Sequence, residues 1–194
     1  MDFFQAIGFA LLKHSNVWIV SGFLILAAVI DGLELKVPNW LTFPMIISGW
    51  LFSAVATIWT GQPWWVGVGW SLVGTVVGLM LLLPAYAIGG MGAGDVKLLA
   101  GVGAWMHSTH TFYAFCVSAI VGAVLAIAMV LVQRGWRKHS NQFWLILTEI
   151  LTIRDPNRLS EIAANRKSSM LLLPYGIPIA IGTIAYFAWT GMLV

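Results

Sequence analysis

Long apolar runs, almost free of charged residues, dominate this chain and most restrict what it can fold into. Examples are FLILAAVI at 23–30 and SAIVGAVLAIAMVLV at 118–132. Charged residues make up only 9% of the 194 residues, whereas an ordinary soluble domain carries about 25%. A helix of roughly 20 apolar residues can cross the hydrocarbon core of a bilayer. The sequence therefore predicts an all-α polytopic membrane protein.

We predict about six transmembrane helices within a single membrane-embedded domain, residues 1–194. The predicted segments are 17–30, 40–59, 64–88, 96–106, 111–132 and 171–193. A backward extension of the first segment through the N-terminal residues is also consistent with the pattern. The fourth segment is too short to cross a core of roughly 30 Å at about 1.5 Å per residue. We expect it to begin inside the protein or in a water-filled recess.

The cationic residues fall mainly on one side of these segments, which predicts their orientation. On that side lie Lys36, Lys97, Arg134, Arg137, Lys138, Arg154, Arg158, Arg166 and Lys167. Cytoplasmic loops carry an excess of Lys and Arg, so this side is predicted to be cytoplasmic. Residues 134–170 would form a cytoplasmic basic loop. The net charge of +3 is too small, and too focused in this loop, to suggest nucleic acid as a partner.

Asp31 and Asp95 differ from the other acidic residues because each adjoins an apolar run. Asp31 follows FLILAAVI, and Asp95 follows the glycine-rich stretch GGMGAG. The predicted topology places both acids at the cytoplasmic edge of the membrane. Two ordinary interfacial charges, or ion pairs with Lys36 or Lys97, are the alternative interpretation. Each glycine costs about 0.5–1 kcal/mol relative to alanine within an element, so the stretch before Asp95 indicates close approach of a helix or an extended peptide.

Two carboxylates that approach one water molecule have a well-defined chemical use. They do not both ionise readily, so one keeps its proton. The ionised acid removes a proton from water, and the protonated acid donates to a peptide carbonyl. This is aspartic-protease chemistry, and it requires neither a metal ion nor a cofactor. With Cys116 as its single cysteine, the chain also excludes a cysteine-based zinc site.

Three motifs together resemble the type IV prepilin peptidases, a family of GxGD-type aspartyl proteases. GAGD at 92–95 resembles the GxGD signature, and Asp31 is followed by KVPN at 36–39. LPYGIP at 173–178 is similar to the family's final proline-containing segment. The resemblance is to the short form, because the chain lacks the insertion with paired CxxC motifs that is linked to N-methylation. We therefore expect no methyltransferase activity.

The resemblance implies a prepilin leader peptidase with a GxGD-protease-like helix bundle in the bacterial inner membrane. Asp31 and Asp95 would be catalytic and would face the cytoplasm, where they cleave prepilin or pseudopilin precursors. Residues predicted to bind substrate or shape the site are Gly92, Gly94, Pro38, Asn39, Pro174 and Pro178. An ion- or proton-coupled transporter that uses Asp31 and Asp95 is the alternative, as is a non-catalytic pilus-assembly scaffold.

Some of these residues have simpler structural interpretations. We expect Asn39 to cap the second membrane segment, because asparagine is a good N-cap residue. Pro174 and Pro178 are expected to bend the last helix. The bend would free carbonyl groups that pair with an extended substrate, or it would be a simple kink relieved by neighbouring groups. Lys97 lies two residues beyond Asp95 and thus on another helix face. We expect it to fix the topology or to reach lipid phosphates; a catalytic role is the alternative.

Overall fold

The computed structural model describes residues 3–87, 90–132 and 174–193, which form helices and contain no strand. The helices are α1 (Phe3–Glu34), α2 (Asn39–Trp59), α3 (Trp64–Ala87), α4 (Ala93–Val132) and α5 (Gly176–Trp189). The predicted all-α fold is confirmed for these residues. The predicted basic loop, 134–170, lies outside the described part of the chain.

Four of the described helices are long and apolar enough to cross a membrane. By length and composition these are His14–Glu34, Asn39–Trp59, Trp64–Ala87 and Ala93–Met129. α5 is a shorter apolar helix of 14 residues. The count of about six spans is not confirmed, because the fourth and fifth predicted segments both lie within α4.

Helices α1 and α5 pack side by side in opposite directions and define the two ends of the bundle. The His14 ring lies 3.2 Å from the carbonyl oxygen of Met192. At the other end, the amide of Gly176 donates to the Asp31 carboxylate. We call the end that contains Asp31 the acid end, and the end that contains His14 the far end.

α4 is interrupted at His107, whose backbone angles of φ 60° and ψ −176° are not helical. Gly94, before the interruption, lies against the backbone of Val37 at the acid end. Met106 is within 3.8 Å of the Asn16 amide nitrogen near the far end. The first half of α4 therefore runs from the acid end to the far end.

The second half of α4 packs on α5 and returns toward the acid end. His110 Nδ1 lies 2.7 Å from the Tyr186 hydroxyl, one helical turn before the end of α5. Farther along, Gly122 lies against Pro178 in the first turn of α5. The two halves of α4 consequently run in opposite directions, and both of its termini approach the acid end.

Small residues let α3 approach the first half of α4 closely. A Cβ atom at Gly78 would lie 2.5 Å from the Leu99 carbonyl oxygen, so the helix backbones touch there. The Ser71 hydroxyl also donates to the Ala104 carbonyl. In lipid, helix association depends on such close packing and on interhelical hydrogen bonds. The first half of α4 is thus held in the centre of the bundle, and Asp95 is held with it.

Candidate active site

Asp31 lies in the last turn of α1 and is buried, with 3% of its surface exposed. The helix ends because Leu35 adopts φ 54°, in the left-handed region that commonly terminates helices. The Leu35 amide donates to the Asp31 carbonyl oxygen at 2.9 Å. This turn redirects the chain toward α2 immediately after the acid.

The carboxylate of Asp31 is bound by the backbone of α5. Its Oδ2 atom accepts a 2.7 Å hydrogen bond from the amide of Gly176, the first residue of that helix. Amides in the first turn of a helix have no acceptor within the helix, so this one is available for the carboxylate. A Cβ atom at Gly176 would lie 2.9 Å from the same oxygen. Glycine therefore permits the close approach of α5 to Asp31.

Asp95 is the third residue of α4 and is also buried, with 6% of its surface exposed. Its Oδ2 atom accepts a 3.1 Å hydrogen bond from the amide of Gly92, just before the helix. An acidic side chain that reaches back to the N-cap amide is half of a capping box. An acidic side chain is favourable at this position, near the positive end of the helix dipole. Asp95 thus also stabilises the start of its helix.

One short segment, at the start of α5, binds Asp31 and lies near Asp95. Tyr175 is partly buried, and its phenol interacts electrostatically with Asp95. The next residue, Gly176, donates to Asp31. Adjacent residues therefore lie near the two acids: Gly176 binds Asp31, and Tyr175 lies within electrostatic range of Asp95. The three sequence motifs, which contain Asp31, Asp95 and Gly176, thus lie at the acid end of the bundle.

Gly94 and Pro38 lie where the connection between α1 and α2 passes the start of α4. A Cβ atom at Gly94 would lie 2.6 Å from the Val37 carbonyl oxygen. Pro38, which is partly buried, is the N-cap residue of α2, with extended angles of φ −75° and ψ 149°. Both residues belong to the packing around the start of α4.

The prediction that Asn39 caps α2 is wrong. The N-cap position belongs to Pro38, and no side chain caps this helix. Asn39 is instead the first helical residue, and its side-chain oxygen accepts a 2.8 Å hydrogen bond from Lys97 Nζ. A partner on another helix has displaced the local capping interaction.

The prediction that Pro174 and Pro178 bend the last helix is also wrong. Pro174 precedes α5, and its carbonyl oxygen accepts a 3.2 Å hydrogen bond from Ile177. Pro178 is the third residue of the helix. Because first-turn amides have no acceptor within the helix, a proline there breaks no hydrogen bond. α5 therefore begins at these prolines and is not bent by them.

Tyr175, Gly176 and Leu35 contribute to the site but were not predicted as site residues. Tyr175 and Gly176 lie inside the LPYGIP motif, which was the one available signal for them. No group of three or more His, Cys, Asp or Glu side chains that could hold a metal occurs among the described residues.

The chain is similar to one protein family and to several known proteins. A family model described as the type IV leader peptidase family matches residues 18–127, a range that includes both acids. The chain is 29% identical over 117 residues to a prepilin leader peptidase/N-methyltransferase of Aeromonas salmonicida (strain A449), covering 57% of this chain and 38% of the relative. No solved structure matches the chain.

Two further relatives carry the same name. The chain is 33% identical over 146 residues to the protein of Pectobacterium carotovorum subsp. carotovorum, covering 70% of this chain and 48% of the relative. With the protein of Neisseria gonorrhoeae the identity is 32% over 118 residues, covering 57% of this chain and 39% of the relative. The matched region thus spans less than half of the length of each of these three relatives.

Proposed function

The chain belongs to the type IV leader peptidase family, and on that premise we propose that it is an aspartic endopeptidase that removes the leader of type IV prepilin-like precursors. Asp31 and Asp95 are the catalytic pair. The curated relatives are named prepilin leader peptidases, which supports prepilin or pseudopilin precursors as the substrates.

One observation carries the assignment of the catalytic pair. Tyr175 and Gly176 are adjacent in the chain; the Gly176 amide donates to Asp31, and the Tyr175 phenol lies within electrostatic range of Asp95. Both acids are buried, although their charge favours water, and the burial of charge is costly unless it is compensated. Two interfacial charges that served only to fix the topology would need neither the burial nor the shared segment.

The proposed reaction needs one water molecule and one proton shared between the two acids. The ionised carboxylate takes a proton from water, and the resulting hydroxide oxygen bonds to the carbonyl carbon of the scissile peptide. The protonated acid donates its proton to the carbonyl oxygen. When the carbon–nitrogen bond breaks, the departing amine takes a proton from the dyad, and a hydroxyl group of the tetrahedral intermediate returns one proton to the dyad as the new carboxyl group forms. The two carboxylates then share one proton again.

The substrate reaches Asp95 along the glycine-rich stretch that precedes α4. Gly92 carries no side chain that would cover the acid, and its amide lies 3.1 Å from it; Gly94 contributes by letting the connection before α2 pack against the start of α4. An extended peptide can therefore come close to the carboxylate. This role, like those of Pro38, Asn39, Pro174 and Pro178 in shaping the site, remains a proposal.

We further propose a bundle of about six membrane segments, in which the two halves of α4 count separately and α5 is the last. Large apolar side chains point outward, for example Trp70 with 57% and Ile120 with 65% of their surface exposed. A lipid environment accounts for such exposure. Lys36 and Lys97 belong to the acid end, which supports a cytoplasmic location of that end in the inner membrane.

Substitution of each acid tests the proposal. Asp31→Asn and Asp95→Asn keep the size of the side chain and one acceptor oxygen, so the hydrogen bonds to Gly176 and Gly92 can persist. We expect both variants to lose cleavage of a full-length precursor in membranes. Glu34→Gln, which removes an exposed acid from the same end of α1, should cleave like the wild-type protein. Full cleavage by either aspartate variant would exclude the two-acid mechanism.

A further inference from the structure

Lys97 connects the first turn of α4 to the first turn of α2. Its Nζ atom donates a 2.8 Å hydrogen bond to Oδ1 of Asn39. The same ammonium group lies 4.9 Å from the centre of the Phe43 ring, within the range of a cation–π interaction. Asn39 and Phe43 are four residues apart on α2 and therefore share one helix face. The Lys97 side chain thus packs on that face of α2.

A second contact joins the same parts of the chain. Val37, just before α2, is 7% exposed, and its backbone lies directly against Gly94. A Cβ atom at Gly94 would be 2.6 Å from the Val37 carbonyl oxygen and 3.0 Å from its Cβ. The start of α4 is thus fixed to the chain around the start of α2 at two points, one on each side of Asp95.

The same connection is tied to Asp31. The Leu35 amide donates to the Asp31 carbonyl oxygen at 2.9 Å, and Val37 follows two residues later. A short path of direct contacts therefore runs from Asp31 through the connection between α1 and α2 to Asp95. Lys97 lies two residues beyond Asp95 and on another face of α4. Its bond to α2 can thus set the position of Asp95 without the ammonium entering the reaction.

We propose that Lys97 and Asn39 are positioning residues, which hold the carboxylate of Asp95 in its place relative to the carboxylate of Asp31. The inference deepens the proposed peptidase function and rests on it. A misplacement of about 1 Å at a catalytic group can reduce a rate by about 100-fold. Asp95 lies in the first turn of α4, between the contact of Gly94 with Val37 and the bond of Lys97 to Asn39, so the loss of that bond changes how its helix turn is held. Anchoring of Lys97 to lipid phosphates alone is the competing explanation.

Three variants measured by steady-state cleavage of a purified precursor separate the two explanations. Lys97→Met removes the donor, Asn39→Ala removes the acceptor, and the double variant removes both. For each single variant we expect kcat to fall about tenfold, as for the loss of a hydrogen bond to a charged group, while KM stays within about twofold. The double variant should be no worse than the worse single variant, because both substitutions break the same bond.

Two control variants complete the design. Lys36→Met removes an exposed lysine from the connection between α1 and α2 and should keep the wild-type kcat. Lys97→Arg retains a cationic donor and should recover most of the lost rate. The melting temperature of each variant should change by less than about 3 °C, because the hydrogen bond between Lys97 and Asn39 is exposed to solvent.

The inference fails if Asn39→Ala retains the wild-type kcat while Lys97→Met does not, because Lys97 then acts on something other than α2. The inference also fails if the fold losses in kcat of the two single variants multiply in the double variant. A variant that changes KM but not kcat overturns it as well. Failure of the proposed function looks different, since the wild-type protein itself would then leave the precursor uncut.

Discussion

The amide of Gly176 donates a 2.7 Å hydrogen bond to Oδ2 of Asp31, although the two residues are 145 positions apart in the sequence. This bond fixes one acid of the candidate pair to the first residue of α5. It also fixes the distance between α5 and the end of α1, because glycine leaves no Cβ atom between them. The bond thus links the geometry of the site directly to helix packing.

The variant Gly176→Ala should lose most of the cleavage activity. Its new Cβ atom would lie 2.9 Å from Oδ2 and 3.0 Å from Cβ of Asp31, closer than such atoms pack. The carboxylate or the start of α5 must therefore move. We expect kcat to fall by about 10- to 100-fold, as measured by initial rates of precursor cleavage.

Gly22→Ala is the matched control on the helix that carries Asp31. A Cβ atom at Gly22 meets nothing within 4 Å, so cleavage should stay at the wild-type rate. Helix stability should rise by up to about 1 kcal/mol, since alanine is the better helix former. A wild-type rate for Gly176→Ala would show that Asp31 does not depend on this contact for its position.

The cleavage rate should fall at low pH. One acid of the pair must be ionised in order to take a proton from water, and a lower pH protonates it. Below the apparent pKa of that step, the rate should fall about tenfold per pH unit. Initial rates across the acidic range measure this dependence, and Glu34→Gln should retain it. A rate that is constant across that range would contradict the mechanism.

The sequence predicted the location of both acids because hydropathy and topology are local properties of the chain. α2 and α3 begin and end within one residue of the predicted segments, since each is a single apolar run between turn residues. Once the segments alternate across the bilayer, Asp31 and Asp95 must lie at the same end. The structure agrees with that placement.

The contacts that complete the site could not be predicted in this way. Gly176 binds Asp31 through a backbone amide, and every residue except proline has one, so the sequence carries no specific signal for the bond. Asn39 is a residue type that favours the N-cap position, but its side chain bonds to Lys97, which is 58 positions away. Leu35 takes a left-handed conformation that is usual for glycine. These features depend on tertiary packing rather than on local preference.

Labelling with a membrane-impermeant maleimide should verify the orientation. In a Cys116→Ala background, Lys36→Cys introduces a thiol between α1 and α2, and Gln62→Cys introduces one between α2 and α3. Both positions are exposed. If the acid end faces the cytoplasm, intact spheroplasts should be labelled at position 62 and not at 36. Inside-out vesicles should give the reverse, and the opposite pattern in both preparations would place the acids outside the cytoplasm.

Gly78→Ala should destabilise the bundle, because α3 and the first half of α4 touch at this position. The new Cβ atom would lie 2.5 Å from the carbonyl oxygen of Leu99 and 2.8 Å from Cα of Ala100, so the helices must separate. Such overpacking costs about 1–3 kcal/mol. Gly69→Ala, on the same helix with nothing within 4 Å, should instead stabilise the protein by up to about 1 kcal/mol. In thermal unfolding in detergent, the melting temperature should fall for Gly78→Ala and rise for Gly69→Ala. Equal melting temperatures of the two variants would contradict the close packing of α3 on α4.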